Sequence, residues 1–460
     1  MDILEIFQEI SAIPRGSGNT KGISDYCAKF ARDRGFEALQ DEWNNCLIRL
    51  PATAGLEDRP TVVLQGHLDM VCEKDPDCAH NFEKDGLKLK IDGDRLTAEG
   101  TTLGADDGVA IAYGLAILAD PSIPHPALEI LFTSDEETGM DGAIGLNGDW
   151  IKGRTLLNLD SEGEGIFITS CAGGGEISAK LPLSYEPCAA PVYRIGIDGL
   201  KGGHSGAEIH QRLGNANSLL AKILAGLNCR LIEFGGGTKS NAIPRAASAL
   251  CAMETPVDAA ALTALLLREY GDREPDLRVT VETATASRQL EESCSKAAIG
   301  LLAALPDGVY EWSEEIDGLV ETSSNLAIVA TEEAALSVLI SLRSMKNAKR
   351  AAFQAQLCAL LEKFGFSAEE GGSYPAWEYK AASPLRQKVA EIYREHTQKE
   401  PSFIALHAGL ECGLLSEKMP GMDAVAFGPN VIDIHTPRET LFLRSFERTF
   451  EFLKALLIAL

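Results

Sequence analysis

The chain contains no apolar run that approaches the roughly 18 residues needed to cross a bilayer. Its first residues, Met1-Asp-Ile-Leu-Glu-Ile-Phe7, also lack the basic segment and apolar stretch of an export signal. They place acids in an amphipathic helical pattern instead. We therefore expect a soluble, unexported protein that stays in the cytoplasm.

The chain has fewer basic residues than acidic ones. Lysine and arginine number 42 against 67 aspartates and glutamates, which gives a net charge of -25. A surface this acidic repels the phosphate backbone of nucleic acids and the anionic surface of membranes. We therefore expect neither nucleic acid nor a membrane as a partner.

Paired cysteines are missing as well. The eleven cysteines are odd in number and stand singly, with no C-x-x-C pair. This usage is typical of reduced thiols in a cytosolic protein and argues against a disulfide framework.

The length of 460 residues predicts two domains or more, each large enough to bury a core. Near Pro187 to Pro191 the pattern is interrupted, and strands and helices then alternate at shorter spacing until about Pro375. We predict an inserted domain over 188–375, between catalytic segments 1–187 and 376–460. Within it Thr238-Lys-Ser-Asn241 and Thr322-Ser-Ser-Asn325 match, consistent with a weak internal duplication.

Acids and histidines follow several predicted strands at once. Thr61 to Gln65 has the length and β-branched content of a buried strand, and His67 and Asp69 follow it. In open α/β sheets ligands gather where the strands end. Four more segments show comparable placement: Glu136 and Glu137 after the strand 127–133, Asp160 after the strand 155–159, Asp106 at a helix start, and His435 beside acids.

Six of these side chains offer two imidazoles and four carboxylates, a mixture that suits two zinc ions with one carboxylate left over as a base. They are His67, Asp106, Glu136, Glu137, Asp160 and His435. Neighbouring Glu136 and Glu137 point in different directions, so one can bind metal while the other faces the water to be activated. Asp69 could orient the imidazole of His67 from behind. The alternative for each residue alone is ordinary: a hydrogen-bonded turn histidine, a solvated acidic loop or a turn cap.

Several motifs resemble a known family, the di-zinc exopeptidases related to carboxypeptidase G and bacterial dipeptidases, and more narrowly its aminoacyl-histidine dipeptidase branch. The resemblance covers nearly the whole chain. The motifs are Gly66-His-Leu-Asp69, Gly104-Ala-Asp-Asp107, Ser134-Asp-Glu-Glu137, Leu159-Asp160, Gly202-Gly-His-Ser-Gly206, Ser240-Asn-Ala-Ile-Pro244, His407-Ala-Gly-Leu-Glu-Cys-Gly413 and Asp433-Ile-His-Thr-Pro-Arg-Glu439.

The resemblance implies an α/β fold: a three-layer catalytic domain with a mixed, mostly parallel sheet, interrupted by an inserted α+β lid. It also implies roles for individual residues. These are His67 and Asp160 on one zinc, Glu137 and His435 on the other, Asp106 bridging, Glu136 as general base with Asp69 behind His67, His204 on the oxyanion, Asn241 and Arg343 on the substrate, and Gly409 lining its pocket.

Glu411 is a candidate from its own chemistry. It lies in the same turn as Gly409, and a carboxylate there could pair with the free amino group of a dipeptide. The alternative role is a buried cap. Manganese and cobalt fit the ligand types as well as zinc does. A homodimer also stays open, and with it whether His204 acts in its own subunit or in a partner's.

We therefore expect a cytoplasmic metallo-dipeptidase that acts on small peptides with a free amino terminus, including Xaa-His. Two hydrolases on the same scaffold are alternatives: an N-acyl amino acid deacylase, which has no amine for Glu411 to neutralise, and a tripeptidase. A catalytically silent metal-binding or scaffold protein is a third. Against it, Glu136 and every candidate ligand are present.

Overall fold

The structure is a computed structural model that describes residues 2–460. The chain divides into two compact units. The first unit comprises Met1–Ser170, Tyr379–Ala405 and Leu410–Leu460, and the second comprises Cys171–Glu378 and Leu406–Gly409. Among residues 2–460 no helix is both long and apolar enough to span a membrane.

An eight-stranded mixed sheet organises the first unit. Its central strands run parallel: Val62–His67 pairs with Leu128–Thr133 on one side and with Thr155–Asn158 on the other. Both faces of these strands are buried, which explains their continuous apolar sequences. The strands in spatial order are Glu37–Gln40, Cys46–Leu50, Leu128–Thr133, Val62–His67, Thr155–Asn158, Asp423–Ala426, Ile166–Cys171 and Ser402–Leu406.

Helices cover this sheet and complete a single core. Ala105–Ala119 is apolar around nearly its whole circumference and is correspondingly buried. Its Tyr113 hydroxyl donates to the carbonyl of Phe446 at 2.6 Å. The other helices of the unit are Ile3–Ser11, Lys21–Arg32, Asp141–Gly145, Pro384–Thr397, Cys412–Lys418, Leu443–Ala459 and the 3-10 turn Gly148–Trp150.

A small antiparallel sheet also belongs to the first unit. Its strands in order are Val431–Ile432, Thr440–Phe442, Arg95–Ala98 and Leu89–Asp92. The sheet brings the segment that carries His435 next to the chain that precedes Asp106.

The second unit is built on a nine-stranded antiparallel sheet. Its strands in order are Arg278–Ala284, Val192–Asp198, Ala247–Ala252, Arg230–Gly236, Val320–Thr331, Ala335–Ser344, Gly173–Pro182 and Ser367–Tyr374, with Gly308–Trp312 also pairing Val320–Thr331. Two short pairs join Tyr185–Pro187 to Arg288–Leu290 and Gly203–His204 to Ala242–Ile243. The helices are Ala216–Ala225, Ala259–Tyr270, Glu292–Ala304, Asn347–Lys363 and the 3-10 turn Ile209–Gln211.

The α/β class with a mixed sheet is thus confirmed. The unit boundary lies earlier than the change of sequence texture near residue 187, because Gly173–Pro182 already pairs with Ala335–Ser344 along its whole length. The short segment Leu406–Gly409 also returns to the second unit from the C-terminal part of the chain. Strand pairing, rather than a proline-rich break, sets the start of the second unit.

Candidate metal centre and catalytic residues

The ends of three adjacent parallel strands deliver most of the predicted ligands. His67 is the last residue of its strand and lies in register with Thr133, after which Glu136 and Glu137 follow. Asp160 comes two residues after the end of Thr155–Asn158. Since parallel strands end at one edge of the sheet, residues far apart in sequence meet there.

Gly66 lets the helix that carries Asp106 approach this edge. A Cβ atom at Gly66 would lie 2.1 Å from the Oδ2 atom of Asp107 and 2.2 Å from the Cβ atom of Ala110. No larger residue fits without moving the helix. The glycine of the Gly66-His-Leu-Asp69 motif therefore sets the distance between His67 and Asp106.

Asp106 lies between the two histidines. Its Oδ1 atom is 2.9 Å from His67 Nε2, and its Oδ2 atom is 3.1 Å from His435 Nε2. Each imidazole also has a second carboxylate: Asp160 Oδ1 is 3.9 Å from His67 Nε2, and Glu137 Oε1 is 3.0 Å from His435 Nε2. Two groups of ligand atoms therefore share one carboxylate.

Within residues 2–460, three sets of side chains have donor atoms close enough together to hold a metal ion. In each set the atoms lie within 4.8 Å of one another. The sets are His67 with Asp106 and Asp160, Asp106 with Glu137 and His435, and His67 with Glu136 and Glu137. Nitrogen and carboxylate oxygen donors at this density fit divalent metals such as zinc.

Asp69 organises the site from behind. Its Oδ1 atom is 3.3 Å from His67 Nδ1, and its carboxylate accepts the backbone N–H groups of Glu136 at 3.1 Å and Glu137 at 3.3 Å. Ser17 donates to it at 2.8 Å. A proton held on Nδ1 of His67 leaves Nε2 as the free acceptor, which is the atom that faces Asp106.

Glu439 fixes the loop that carries Asp106, a role that the sequence did not reveal. Its Oε2 atom accepts the N–H groups of Leu103 and Gly104, both at 2.8 Å, and its Oε1 atom accepts those of Ala105 at 2.7 Å and Asp106 at 3.3 Å. The only feature of the sequence that could have indicated this role is the position of Glu439, an acid four residues after His435.

Arg15 is a second residue that sequence reasoning missed. It is only 1% exposed, and its guanidinium donates to the carbonyls of Leu68 at 3.0 Å and Asp69 at 2.9 Å, and to that of Gly104. It therefore ties the His67 loop to the Asp106 loop. A lone arginine in a glycine-rich break carries no distinguishing pattern in sequence.

The concentration of acids perturbs their protonation. Burial raises the pKa of Glu136 well above its ordinary value, and repulsion from Glu137 and Glu411 adds to the effect. Burial also raises the pKa of Asp160 and Glu137. The hydrogen bonds that His435 donates to the carboxylates of Asp106 and Glu137 raise the pKa of His435 to about 10. Bound cations would stabilise the ionised form of these crowded, buried carboxylates, which would release their protons to solvent, so the electrostatics fit metal ions.

Glu411 is fully buried in the first unit. Its Oε2 atom accepts hydrogen bonds from Thr133 Oγ1 at 2.5 Å and Gln65 Nε2 at 2.6 Å, whereas its Oε1 atom has no hydrogen-bond partner in the described chain. Burial raises the pKa of Glu411 to about 7. One oxygen is therefore fixed, and the other remains available as an acceptor.

Two predicted substrate-binding residues meet in the second unit. Asn241 and Arg343 line a cavity of about 60 Å³ together with Tyr374. Arg343 Nη1 donates to the Tyr374 hydroxyl at 2.5 Å. A Cβ atom at Gly409 would lie 2.8 Å from the Tyr374 ring, so glycine is needed there for the ring to pack. Tyr374 is a further residue that the sequence did not single out.

His204 belongs to the same region. Its Nδ1 atom accepts the N–H groups of Gly206 at 3.2 Å and Ala207 at 2.9 Å. A neutral His204 therefore carries its proton on Nε2 and can donate from that atom. A Cβ atom at Gly206 would meet Arg343 Nε at 2.9 Å and His204 Cε1 at 3.0 Å, so these two side chains flank the glycine.

Comparison with known proteins places the chain in a family. The model of Peptidase family M20/M25/M40 matches residues 63–459. The cytosol non-specific dipeptidase of Escherichia coli (strain K12) is 40% identical over 454 residues, covering 96% of this chain and 94% of the relative.

Solved structures agree. The aminoacylhistidine dipeptidase from Vibrio alginolyticus matches with a TM-score of 0.89 and 37% identity, covering 100% of this chain and 96% of that one. The aminopeptidase PepT from Bacillus cereus matches with a TM-score of 0.58 at 17% identity, over 99% of this chain and 97% of that one, and shares the fold. The chain therefore belongs to peptidase family M20/M25/M40 and is a peptide-bond hydrolase.

Proposed function

We propose that the protein is a cytoplasmic metallo-dipeptidase that cleaves dipeptides with a free amino terminus, including Xaa-His dipeptides. The observation that carries the proposal is the position of Asp106, whose two oxygens face two imidazoles that each have a further carboxylate. The names of two relatives that match nearly the whole chain, a non-specific dipeptidase and an aminoacylhistidine dipeptidase, support the substrate class.

The ligand sets favour two divalent ions. His67 and Asp160 would hold one ion, Glu137 and His435 the other, and Asp106 would bridge them. Zinc suits this mixture of nitrogen and oxygen donors, and manganese or cobalt could replace it. When bound, such a pair supplies the Lewis acidity that polarises a carbonyl and acidifies a water molecule.

Glu136 would move the proton. It is buried beside the ligand residues, and its backbone N–H is fixed by Asp69. As the water oxygen bonds to the scissile carbon, Glu136 takes the water proton; it then returns a proton to the amine as the C–N bond breaks. Asp69 contributes by holding His67 and the Glu136 loop in place.

The remaining roles concern the substrate. Arg343, with Asn241 beside it, would clamp the terminal carboxylate, since a guanidinium offers paired donors to two oxygens. His204 would donate from Nε2 to the oxyanion that forms during attack. Gly409 would shape the pocket through its packing on Tyr374. The unpartnered Oε1 atom of Glu411 would accept the free amino group, which favours dipeptides over N-acylated amino acids.

The test is hydrolysis of three substrates by the purified protein: β-alanyl-histidine, alanyl-histidine and N-acetylhistidine. Each is assayed as purified, after a chelator, and after zinc is returned. We expect chelator-sensitive cleavage of the two free-amine substrates only. Cleavage of N-acetylhistidine alone would make the protein a deacylase and remove the role of Glu411, and no metal-dependent cleavage of any substrate would contradict the proposal.

Metal content tests the ligand assignment independently of turnover. We expect about two equivalents of metal in the wild-type protein and about one in His435→Ala, because that variant loses a ligand of one ion only. His396→Ala, at an exposed helix position, is the matched control and should bind as the wild type does. Full occupancy in His435→Ala would exclude His435 as a ligand. Self-association into a homodimer stays a prediction, which sedimentation velocity would test.

A further inference from the structure

The second unit contains a cavity that none of the proposed catalytic or substrate-binding residues lines. It lies among the helix Ala216–Ala225, the end of the helix Ala259–Tyr270 and residues 307–309, where the strand Gly308–Trp312 begins. Its volume of about 300 Å³ is at the lower limit for small-molecule sites. The cavity can therefore accept a ligand of the size of an amino acid.

One wall of the cavity carries a carboxylate with no close cationic partner. The Oδ1 atom of Asp307 accepts hydrogen bonds from Asn215 Nδ2 at 2.7 Å and from the N–H of Leu326 at 2.9 Å. Burial raises the pKa of Asp307 to about 6, against the lowering effect of these hydrogen bonds and of Lys222. The arrangement leaves the Oδ2 atom without a hydrogen bond among the described residues, so it can receive a donor from a ligand.

Two cations on the lining donate no hydrogen bond and form no close ion pair among the described residues. Lys222 is close enough to Asp307 to affect its pKa, yet it forms neither a hydrogen bond nor a close ion pair within residues 2–460. The guanidinium of Arg212 lies 5.3 Å from the centroid of the Trp312 ring and donates no hydrogen bond in the same range. By contrast, Arg273 is already bound to the carbonyls of Arg212 and Glu269.

The signs of these charges restrict the ligand. A simple anion would meet the carboxylates of Asp307 and Glu269, and a metal cation would meet Lys222 and Arg212. A zwitterion satisfies both, with its ammonium group on Asp307 and its carboxylate on Lys222 and Arg212. The lining also includes apolar side chains that suit an apolar substituent, and these are Leu213, Leu219 and Val309.

We propose that this cavity binds a free α-amino acid with an apolar side chain, held through its ammonium group by Asp307 and through its carboxylate by Lys222 and Arg212. The ligand class follows from the cavity itself. The biological reason for an amino acid site rests on the proposed function, because amino acids are the products of dipeptide hydrolysis. The cavity would then sense product on the second unit.

Calorimetric titration of the metal-loaded protein with L-leucine tests the proposal, with N-acetyl-L-leucine and L-leucinamide as probes that lack the ammonium group and the carboxylate respectively. Lys222→Met and Asp307→Asn remove one charge each at similar side-chain size. Lys363→Met, at an exposed lysine near the end of another helix of the same unit, is the matched control. We expect both cavity variants to weaken leucine binding about tenfold or more, since each loses a charge-assisted hydrogen bond.

Leucine bound only as a product at the metal centre would bind Lys222→Met as tightly as the wild type, and that result would overturn the proposal. Equal binding of N-acetyl-L-leucine would overturn it too. So would the absence of leucine binding up to about 10 mM, a concentration far above the Kd of a useful site. Titration requires no turnover. A protein that binds leucine in this charge-dependent way but cleaves no dipeptide would contradict the proposed function alone.

Discussion

The metal centre of the first unit and the polar cluster of the second unit, defined as His204, Asn241, Arg343 and Tyr374, are built in opposite ways. Three candidate ligands of the metal centre, His67, Glu137 and Asp160, end or follow buried strands, and the parallel order of those strands brings them together at one edge. The polar-cluster residues come from a short strand, a loop and two long antiparallel strands. The strand-end residues thus form a pattern that is visible in sequence. His204, Asn241 and Arg343 were predicted only through family motifs, and Tyr374 was not predicted.

The two regions also differ in charge. Carboxylates outnumber imidazoles in the metal centre, and burial raises the pKa of Glu136 and Asp160. The polar cluster instead carries the cation Arg343, hydrogen-bonded to Tyr374. We infer that the first region binds cations and that the second region binds an anionic group. Substitutions in the two regions should therefore have separable effects on metal content and on substrate affinity.

The largest expected effect is that of Glu136→Gln. Loss of a general base lowers kcat by about 10²- to 10⁴-fold, while the metal content stays at the wild-type level because Glu136 is not needed as a ligand. Its neighbour provides the control: Glu137→Gln should lose metal as well as activity. Metal analysis and steady-state kinetics check both variants. Metal loss in Glu136→Gln equal to that in Glu137→Gln would reverse the two roles.

The next effect is that of Arg343→Lys. An ammonium group cannot reproduce the paired donors of a guanidinium, so kcat/KM for a dipeptide should fall about 10- to 100-fold, with metal content unchanged. Tyr374→Phe removes one hydrogen bond to Arg343 and should cost less. Arg194→Lys, at an exposed position of another strand of the second unit, should match the wild type. A change in metal content in Arg343→Lys would break the separation between the two regions.

Glu439→Gln should reduce stability rather than chemistry. An amide replaces a carboxylate that accepts four backbone N–H groups, and its NH₂ group would point at some of them. We expect a loss of about 2 kcal/mol in unfolding free energy together with weaker metal binding, because the Asp106 loop loosens. Glu447→Gln, at an exposed position of the last helix, is the control. Thermal unfolding with and without chelator measures the effect, and an unchanged melting temperature in both conditions would exclude it.

The sequence predicted the sheet and the placement of acids and a histidine at its strand ends, because both depend on local pattern. The buried run before His67 and the acids after the next two strands reflect burial and chain direction alone. The family prediction is confirmed by the 40% identical relative. The individual roles of the site residues stay predictions, which the substitutions above would test.

What the sequence could not predict depends on contacts between distant segments. Arg15 acts through carbonyl groups of Leu68, Asp69 and Gly104, and backbone acceptors carry no residue-specific signal. Glu439 reaches backbone groups more than 330 positions away. The start of the second unit was equally hidden, because Gly173–Pro182 reads as one more alternating strand until its partner Ala335–Ser344 is known.

The smallest expected effect concerns Asp307, which lies away from the metal ligands in sequence and whose pKa is raised by burial from 3.8 to about 6. Between these values the folded state binds a proton that the unfolded state does not. Wild-type stability should therefore fall as pH rises from about 4 to about 6 and then level off, by up to about 3 kcal/mol from this group.

Asp307→Asn lacks this titration, so the free energy of unfolding of the wild type minus that of the variant should decline over the same interval and stay constant above it. Urea unfolding of both proteins in the presence of a chelator measures this difference. It is repeated at several pH values from about 4.5 to about 7.5, which span most of the titration. Groups common to both chains cancel in this subtraction. A difference that does not vary with pH would mean that Asp307 is ionised like a surface acid. Asp307 would then differ from the crowded acids Glu136 and Asp160, whose pKa values are raised by burial.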